Sequence, residues 1–247
     1  MSEVIRCDNL TIGYGTHVVQ PVLTFSLCEG EMVCMLGPNG CGKSTLLRTL
    51  AGLQPPLAGT YEVQGLSSEK ASENSAERAK HLALVLTERL SLEHTTAHDV
   101  VAMGRYPYSS FLGGLSAADE EVIADALQQV GLQDMADTYF NNHSDGEKQR
   151  ILIAKALAQQ TPVILLDEPT AHLDLPNRIR TLQLLRHLAH EQGKTILIST
   201  HELDLALQLS DRILLMSDGG ILLDTAQALR ARNAFTAAFK MDIFQPL

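Results

Sequence analysis

Four absences narrow the class of this chain before any motif is considered. No apolar run approaches the roughly 20 residues of a membrane span, and Met1-Ser2-Glu3 opens without the basic-then-apolar order of a signal peptide. These features predict a cytosolic protein whose membrane role, if any, comes through a partner. Cysteine is scarce: Cys7, Cys28, Cys34 and Cys41 show no C-x-x-C spacing, so neither a zinc site nor a disulfide framework is indicated. There is no basic excess either. Nineteen Lys and Arg stand against 29 Asp and Glu, a net charge of −10, which argues against a general nucleic-acid surface but leaves room for a local basic site. Finally, the 247 residues contain no internal repeat, low-complexity segment or long linker, so one domain with subdomains fits better than two independent ones.

What is present is organised around Leu36-Gly37-Pro38-Asn39-Gly40-Cys41-Gly42-Lys43-Ser44-Thr45. An apolar run, Met32 to Leu36, reads as a buried parallel strand before it, and Leu46 to Leu50 reads as a helix after it. A loop that wraps a phosphate must turn successive N–H groups inward through φ values that a β-carbon resists, and Gly37, Gly40 and Gly42 supply that freedom. The N-terminus of the following helix favours an anion. Lys43 adds a point charge for the β- and γ-phosphates of a nucleotide, and Ser44 a hydroxyl for Mg²⁺. Cys41 within this loop reads either as a small filler or as a thiol open to alkylation.

A second apolar strand, Val163 to Leu166, ends in Asp167-Glu168-Pro169-Thr170. Asp167 at a strand terminus is placed to hold Mg²⁺ directly or through water, and Glu168 to polarise an attacking water. The bland alternative is a pair of solvated loop charges. A third apolar strand, Thr195 to Thr200, delivers His201 to the same edge of a parallel sheet, where open α/β folds bind ligands.

Together these stretches resemble the ATP-binding cassette (ABC) family over nearly the whole chain. The resemblance implies an α/β P-loop NTPase fold: a mainly parallel core sheet, an N-terminal antiparallel β subdomain and an inserted helical subdomain. Residues 1–247 then form a single ABC ATPase domain, with 1–87 and 161–247 as the nucleotide-binding core and 88–160 as the helical part. The loop from Gly37 to Thr45 binds ATP, Tyr14 stacks on adenine, Ser44 and Asp167 hold Mg²⁺, Glu168 is the base, and His201 holds Glu168 and the water in line. Asn141-Asn142-His143-Ser144-Asp145-Gly146-Glu147 is similar to the signature that completes the site of a second copy, with Ser144 and Gly146 matching and His143 and Asp145 departing. A carboxylate aimed at a triphosphate would repel it, so Asp145 either points away or pairs with a cation such as Lys148. Ser144 also reads as the N-cap of a helix through Leu157. Ala171-His172-Leu173-Asp174 matches the loop that crosses the dimer interface, and Asp174 equally suits an N-cap for the next helix. Where the family carries glutamine, this chain has Thr87-Glu88, and Thr87 is a further candidate for Mg²⁺.

His98 to Tyr108 resembles the corresponding run in cassettes that import iron-siderophore complexes, haem and vitamin B12. Here an exposed Arg105 with Tyr106, Pro107 and Tyr108 has the composition of a protein-contact patch. The implied partners are a second copy of the chain, membrane permease subunits met near Thr87-Glu88 and Arg105 to Tyr108, and a periplasmic or surface binding protein. The implied location is the inner face of the cell membrane. The alternative is a soluble cassette ATPase serving cofactor assembly or DNA maintenance; the DNA-repair type carries a long coiled coil or zinc module, and neither is visible. A nucleotide kinase sharing the phosphate loop leaves Ser144 to Arg150 and His201 unexplained. The remaining expectations are structural. Val22 to Leu27 pairs with Leu10 to Gly15, Ser67 to Lys80 is a polar loop, Ser116 to Asp119 opens a capped scaffold helix, and Arg212 to Met216 forms a hairpin with Ile221 to Leu223.

Overall fold

The computed structural model describes residues 2–70, 75–86, 92–109, 114–218 and 220–240. Thr87 and Glu88, read above as a metal ligand and a permease contact, lie outside these residues.

Two long strands, β1 (Glu3–Tyr14) and β2 (His17–Cys28), form an antiparallel pair whose last register partners are Tyr14 and His17. The buried strand β3 (Met32–Leu36) leads through the phosphate loop into helix α1 (Lys43–Leu50). Strands β4 (Ala58–Val63) and β5 (Leu66–Ser67) complete a four-stranded sheet in the order β2-β1-β4-β5.

The polar stretch expected to be a loop holds more structure than that. A 3₁₀ turn at Ser68–Lys70 and helix α2 (Ser75–His81) lie within it. The buried Arg78 fixes the helix by donating to Leu50 O at 3.4 Å and Ser67 O at 3.2 Å and by stacking over Tyr61. One long side chain with distant partners supplies the anchoring that composition hides.

Strand β6 (Leu82–Val85) then starts the helical region: α3 (Ala97–Ala102), a 3₁₀ stretch at Met103–Tyr108, α4 (Ala117–Gln129) and α5 (Asp145–Ala158). Thr96, Ser116 and Ser144 each form a reciprocal capping box with the acid three residues on, so three helix starts are set by local chemistry. Strand β7 (Val163–Asp167), helix α6 (Leu175–Gln192), strand β8 (Thr195–Ser199) and helix α7 (Leu203–Leu209) return the chain to the core. It ends in the hairpin β9 (Arg212–Ser217) and β10 (Gly220–Asp224) and two short helices, α8 (Ala226–Ala231) and α9 (Ala234–Phe239).

The second sheet has the order β10-β9-β3-β8-β7-β6, parallel except for β10. Its central strands β3, β7 and β8 are buried at every position, because both faces are covered. Alternation sorts them. Met32, Cys34, Leu36, Ile164, Leu166, Ile196 and Ile198 face the core shared with the helical region. Val33, Met35, Leu165, Leu197 and Leu214 face α1 and the antiparallel sheet. Two cores thus grip one sheet, and the phosphate loop follows its carboxyl edge.

Arg105 corrects an expectation. It is only 8% exposed. Its guanidinium donates to Asp119 Oδ1 at 2.7 Å, Ala158 O at 2.7 Å and Gln160 Oε1 at 2.9 Å, and stacks over Tyr108. A planar head with several donors can be buried when each finds an acceptor. Hydrogen bonds from Ser116, and then from Arg105, bring the Asp119 carboxyl down to about 2. The most outward residue of this patch is Tyr106, at 66% exposure, and Tyr108 is exposed beside it.

Leu197, fully buried in the middle of β8, tests how tightly the sheet is packed. Leu197→Ala is expected to lower the unfolding free energy by about 2–5 kcal/mol in urea titration with an unchanged slope. A loss under about 1 kcal/mol would mean the site collapses around the gap.

Candidate active site

The register of three parallel strands brings the site together. Met35 of β3 and Asp167 of β7 both pair with Ser199 of β8, and Thr200 N donates to Met35 O at 3.1 Å. The three strands therefore end at one level, where the phosphate loop, the carboxylates and His201 emerge.

The loop is wedged between β2 and β9. A β-carbon on Gly42, whose φ is 101°, would stand 2.8 Å from Val19 Cγ1; one on Gly37 would stand 2.4 Å from Met216 O. Glycine is required here by contact as well as by conformation. Gln20, which sequence reading did not single out, is buried and donates its amide hydrogens to Cys41 O and Ser217 O, both at 3.0 Å, tying the loop to the end of β9. Lys43 is buried and its ammonium bends back onto Gly37 O at 2.9 Å and Pro38 O at 3.3 Å. Pro38, Asn39 and Gly40 form the outer turn, with Gly40 at φ 78°. Cys41 is buried and unpaired, and burial pushes its thiol pKa up, so it fills space as a neutral thiol. Tyr14 is 51% exposed and its hydroxyl lies 3.2 Å from Thr45 Oγ1, so the ring stands beside the start of α1. Ser44 is half-buried in the first turn of that helix.

Asp167, 6% exposed, has its Oδ1 fixed by a hydrogen bond from Ser199 Oγ at 2.6 Å. The same hydroxyl accepts from Glu168 N at 2.9 Å, and Ser199 O accepts from it at 3.1 Å. Glu168 takes a left-handed conformation, φ 47°, which costs a non-glycine residue about 1 kcal/mol or more. The turn directs the two carboxylates differently: Asp167 stays at the buried strand end while Glu168 reaches His201, Oε1 to Nε2 at 2.7 Å. A carboxylate only accepts, so Nε2 carries the hydrogen, and His201 orients Glu168 without competing for a proton. Ser199 was legible only as the polar end of an apolar strand, and its dual hydrogen bond escaped sequence reading.

The residues expected to serve a second copy lie elsewhere. Ser144 caps α5 and Asp174 caps α6, accepting from Asn177 N at 3.1 Å. A β-carbon on Gly146 would stand 3.1 Å from the Asn177 side chain, so the two helix starts are neighbours. Asp145 is exposed and, among the described residues, makes no ion pair with Lys148.

The family model described as ABC transporter matches residues 21–171, more than half of the chain. The chain belongs to the ABC transporter ATPase family. Tyr14, Asp174 and His201 lie outside that matched span. The iron(3+)-hydroxamate import ATP-binding protein FhuC of Bacillus subtilis is 35% identical over 239 residues, 96% of this chain and 88% of the relative. A solved ABC transporter of the metal-chelate type, in an inward-facing conformation, superposes on this cassette with a TM-score of 0.85 at 30% identity, covering 97% of this chain and 90% of that one. A dimeric cassette in a post-hydrolysis state with ADP and Pi superposes with a TM-score of 0.77 at 27% identity, covering 90% and 98%. The cassette is thus an ABC ATPase in fold and family.

The bridging hydroxyl gives a direct test. Ser199→Ala is expected to lower ATP turnover by roughly tenfold or more, as loss of a ligand-orienting partner does, while fluorescence titration shows ATP binding changed much less. Unaltered turnover would show that Asp167 needs no such support.

Proposed function

We propose that this cassette is the ATP-hydrolysing subunit of an ABC importer for a metal chelate of the iron-siderophore, haem or cobalamin type, acting as a pair of copies closed on two ATP molecules. The observation that carries the reading is the Glu168–His201 hydrogen bond at the sheet edge that holds Asp167 and the phosphate loop. A base is presented beside a phosphate site, and its orienter is already engaged. The kinship with FhuC and the metal-chelate transporter supports import over the alternative of a soluble, non-transport cassette.

ATP would lie with its base against Tyr14 and its phosphates in the Gly37 to Thr45 loop, where backbone N–H groups and the α1 N-terminus meet the negative charge. Lys43 would leave the loop carbonyls for the phosphates. Among the described residues no three His, Cys, Asp or Glu side chains cluster to hold a metal. A donor set of the Ser44 hydroxyl and the Asp167 carboxylate suits Mg²⁺, which keeps waters and phosphate oxygens among its ligands. Bound there, Mg²⁺ would neutralise charge developing on the phosphates. Glu168 would take a proton from water as it attacks, with His201 keeping the carboxylate in line.

Ser144, Gly146 and Asp174 would complete the partner copy's site. The dimeric post-hydrolysis cassette supports pairing. Closure and reopening would move a permease on the inner face of the membrane, met through Tyr106 and the segment around Thr87-Glu88, with a binding protein delivering cargo from the other side. The described residues include no helix long and apolar enough to cross a membrane.

Glu168→Gln is expected to keep ATP binding, lose at least about a hundredfold in turnover and persist as a dimer in MgATP by light scattering; undiminished turnover would remove Glu168 from the role. Importer function is checked by purifying the tagged cassette from membranes of its own host, where a many-span permease should accompany it. A cassette recovered reproducibly with soluble partners only would favour the alternative.

A further inference from the structure

His143, one residue before the capping serine, has a side chain only 4% exposed. Its Nε2 lies 2.6 Å from Thr138 Oγ1. A neighbour sets the direction of that bond. The Thr138 hydroxyl gives its single proton to Met135 O, 2.6 Å away, so its oxygen accepts and His143 Nε2 carries the hydrogen. The other ring nitrogen, Nδ1, is left 3.8 Å from Glu147 Oε2.

The same carboxylate oxygen governs Ser144. Because a carboxylate only accepts, Ser144 donates its one hydroxyl proton to Glu147 Oε2 at 2.7 Å, and its backbone N–H donates there too at 2.8 Å. A phosphate oxygen is also only an acceptor. If Ser144 is to engage a phosphate through its hydroxyl, that proton must leave Glu147, and the carboxylate then needs another donor.

We propose that His143 is a positioning residue that takes up a proton when two copies close on nucleotide: protonated at Nδ1, it moves onto Glu147 Oε2 and releases the Ser144 hydroxyl for the phosphate in the partner's site. The proton comes from solvent and the Glu147–Ser144 Oγ hydrogen bond is exchanged for a Glu147–His143 ion pair. This rests on the reading that Ser144 acts across the dimer.

The surroundings fit the exchange. The charged group that faces the imidazole from α5 is Glu147; Arg150, further along the helix, is committed by Nη1 to Val130 O at 3.1 Å. From the segment before α5 the partner is the uncharged Thr138 hydroxyl. Hydrogen bonds from the Ser144 hydroxyl and backbone N–H hold the Glu147 carboxyl below its usual range, so it stays ionised through neutral pH. The sign follows from linkage. A closed state that binds one more proton per copy than the open state is strengthened as pH falls and weakened as pH rises.

The test uses the full chain carrying Glu168→Gln, in MgATP, with the dimer dissociation constant measured by analytical ultracentrifugation between about pH 6 and pH 8, either side of a histidine's ordinary pKa. The dissociation constant is expected to fall by about tenfold from the upper to the lower pH, after subtraction of the trend in the His143→Leu background, which carries the nucleotide's own titration. Adding Glu147→Gln in place of His143→Leu is expected to flatten the trend equally, since no charge then waits for a partner. It also carries the test alone if His143→Leu does not fold. The same pH trend with and without His143, or in the Glu147→Gln background, overturns the proton link. ATP-driven dimerisation undiminished by Ser144→Ala instead overturns the reading on which it rests.

Discussion

A triphosphate must be met at one place by backbone N–H groups, a cation and carboxylates, and what makes that possible here is the register of β3, β8 and β7. Strand β8 sits between the other two and its last residue, Ser199, pairs with both. Ser199 extends the ladder past its end: one hydroxyl holds Asp167 and accepts from Glu168 N, and the backbone bends at Glu168. Apolar cores on both faces resist any slip, because a shift of one residue would exchange every side chain between them. The local strain at Glu168 persists because its surroundings over-determine it.

The parts legible in the sequence are those whose chemistry is local. A phosphate loop needs glycines at fixed spacing, and the contacts that a β-carbon would make at Gly37 and Gly42 show why no other residue serves. Capping boxes join residues three apart, so the starts of α4 and α5 could be read from Ser116 and Ser144. The carboxyl-edge grouping of Lys43, Asp167 and His201 followed from apolar runs alone, since parallel strands buried on both faces read as continuous apolar segments.

What escaped depends on partners far apart in the chain. Arg105 meets Asp119, Ala158 and Gln160, up to 55 positions away, and nothing near it in sequence announces burial. Arg78 gives the polar stretch after Ser67 a helix for the same reason. Ser199 and Gln20 each act through two side-chain hydrogen bonds to backbone or carboxylate groups, and composition leaves no mark of such bonds. The patch around Arg105 remains a surface by virtue of Tyr106, with the arginine serving as its support.

We propose that each nucleotide is held by two chains, with Lys43 from one and Ser144 from the other. Mixing two inactive variants, Lys43→Ala and Ser144→Arg, tests it most directly, because a mixed pair keeps one intact composite site. Equimolar mixing of the purified chains should restore ATPase activity to about a quarter of the unaltered protein's, the share expected when half the pairs are mixed and each has one working site of two. A mixture as inactive as its components, with mixed pairs shown to form, would contradict the claim.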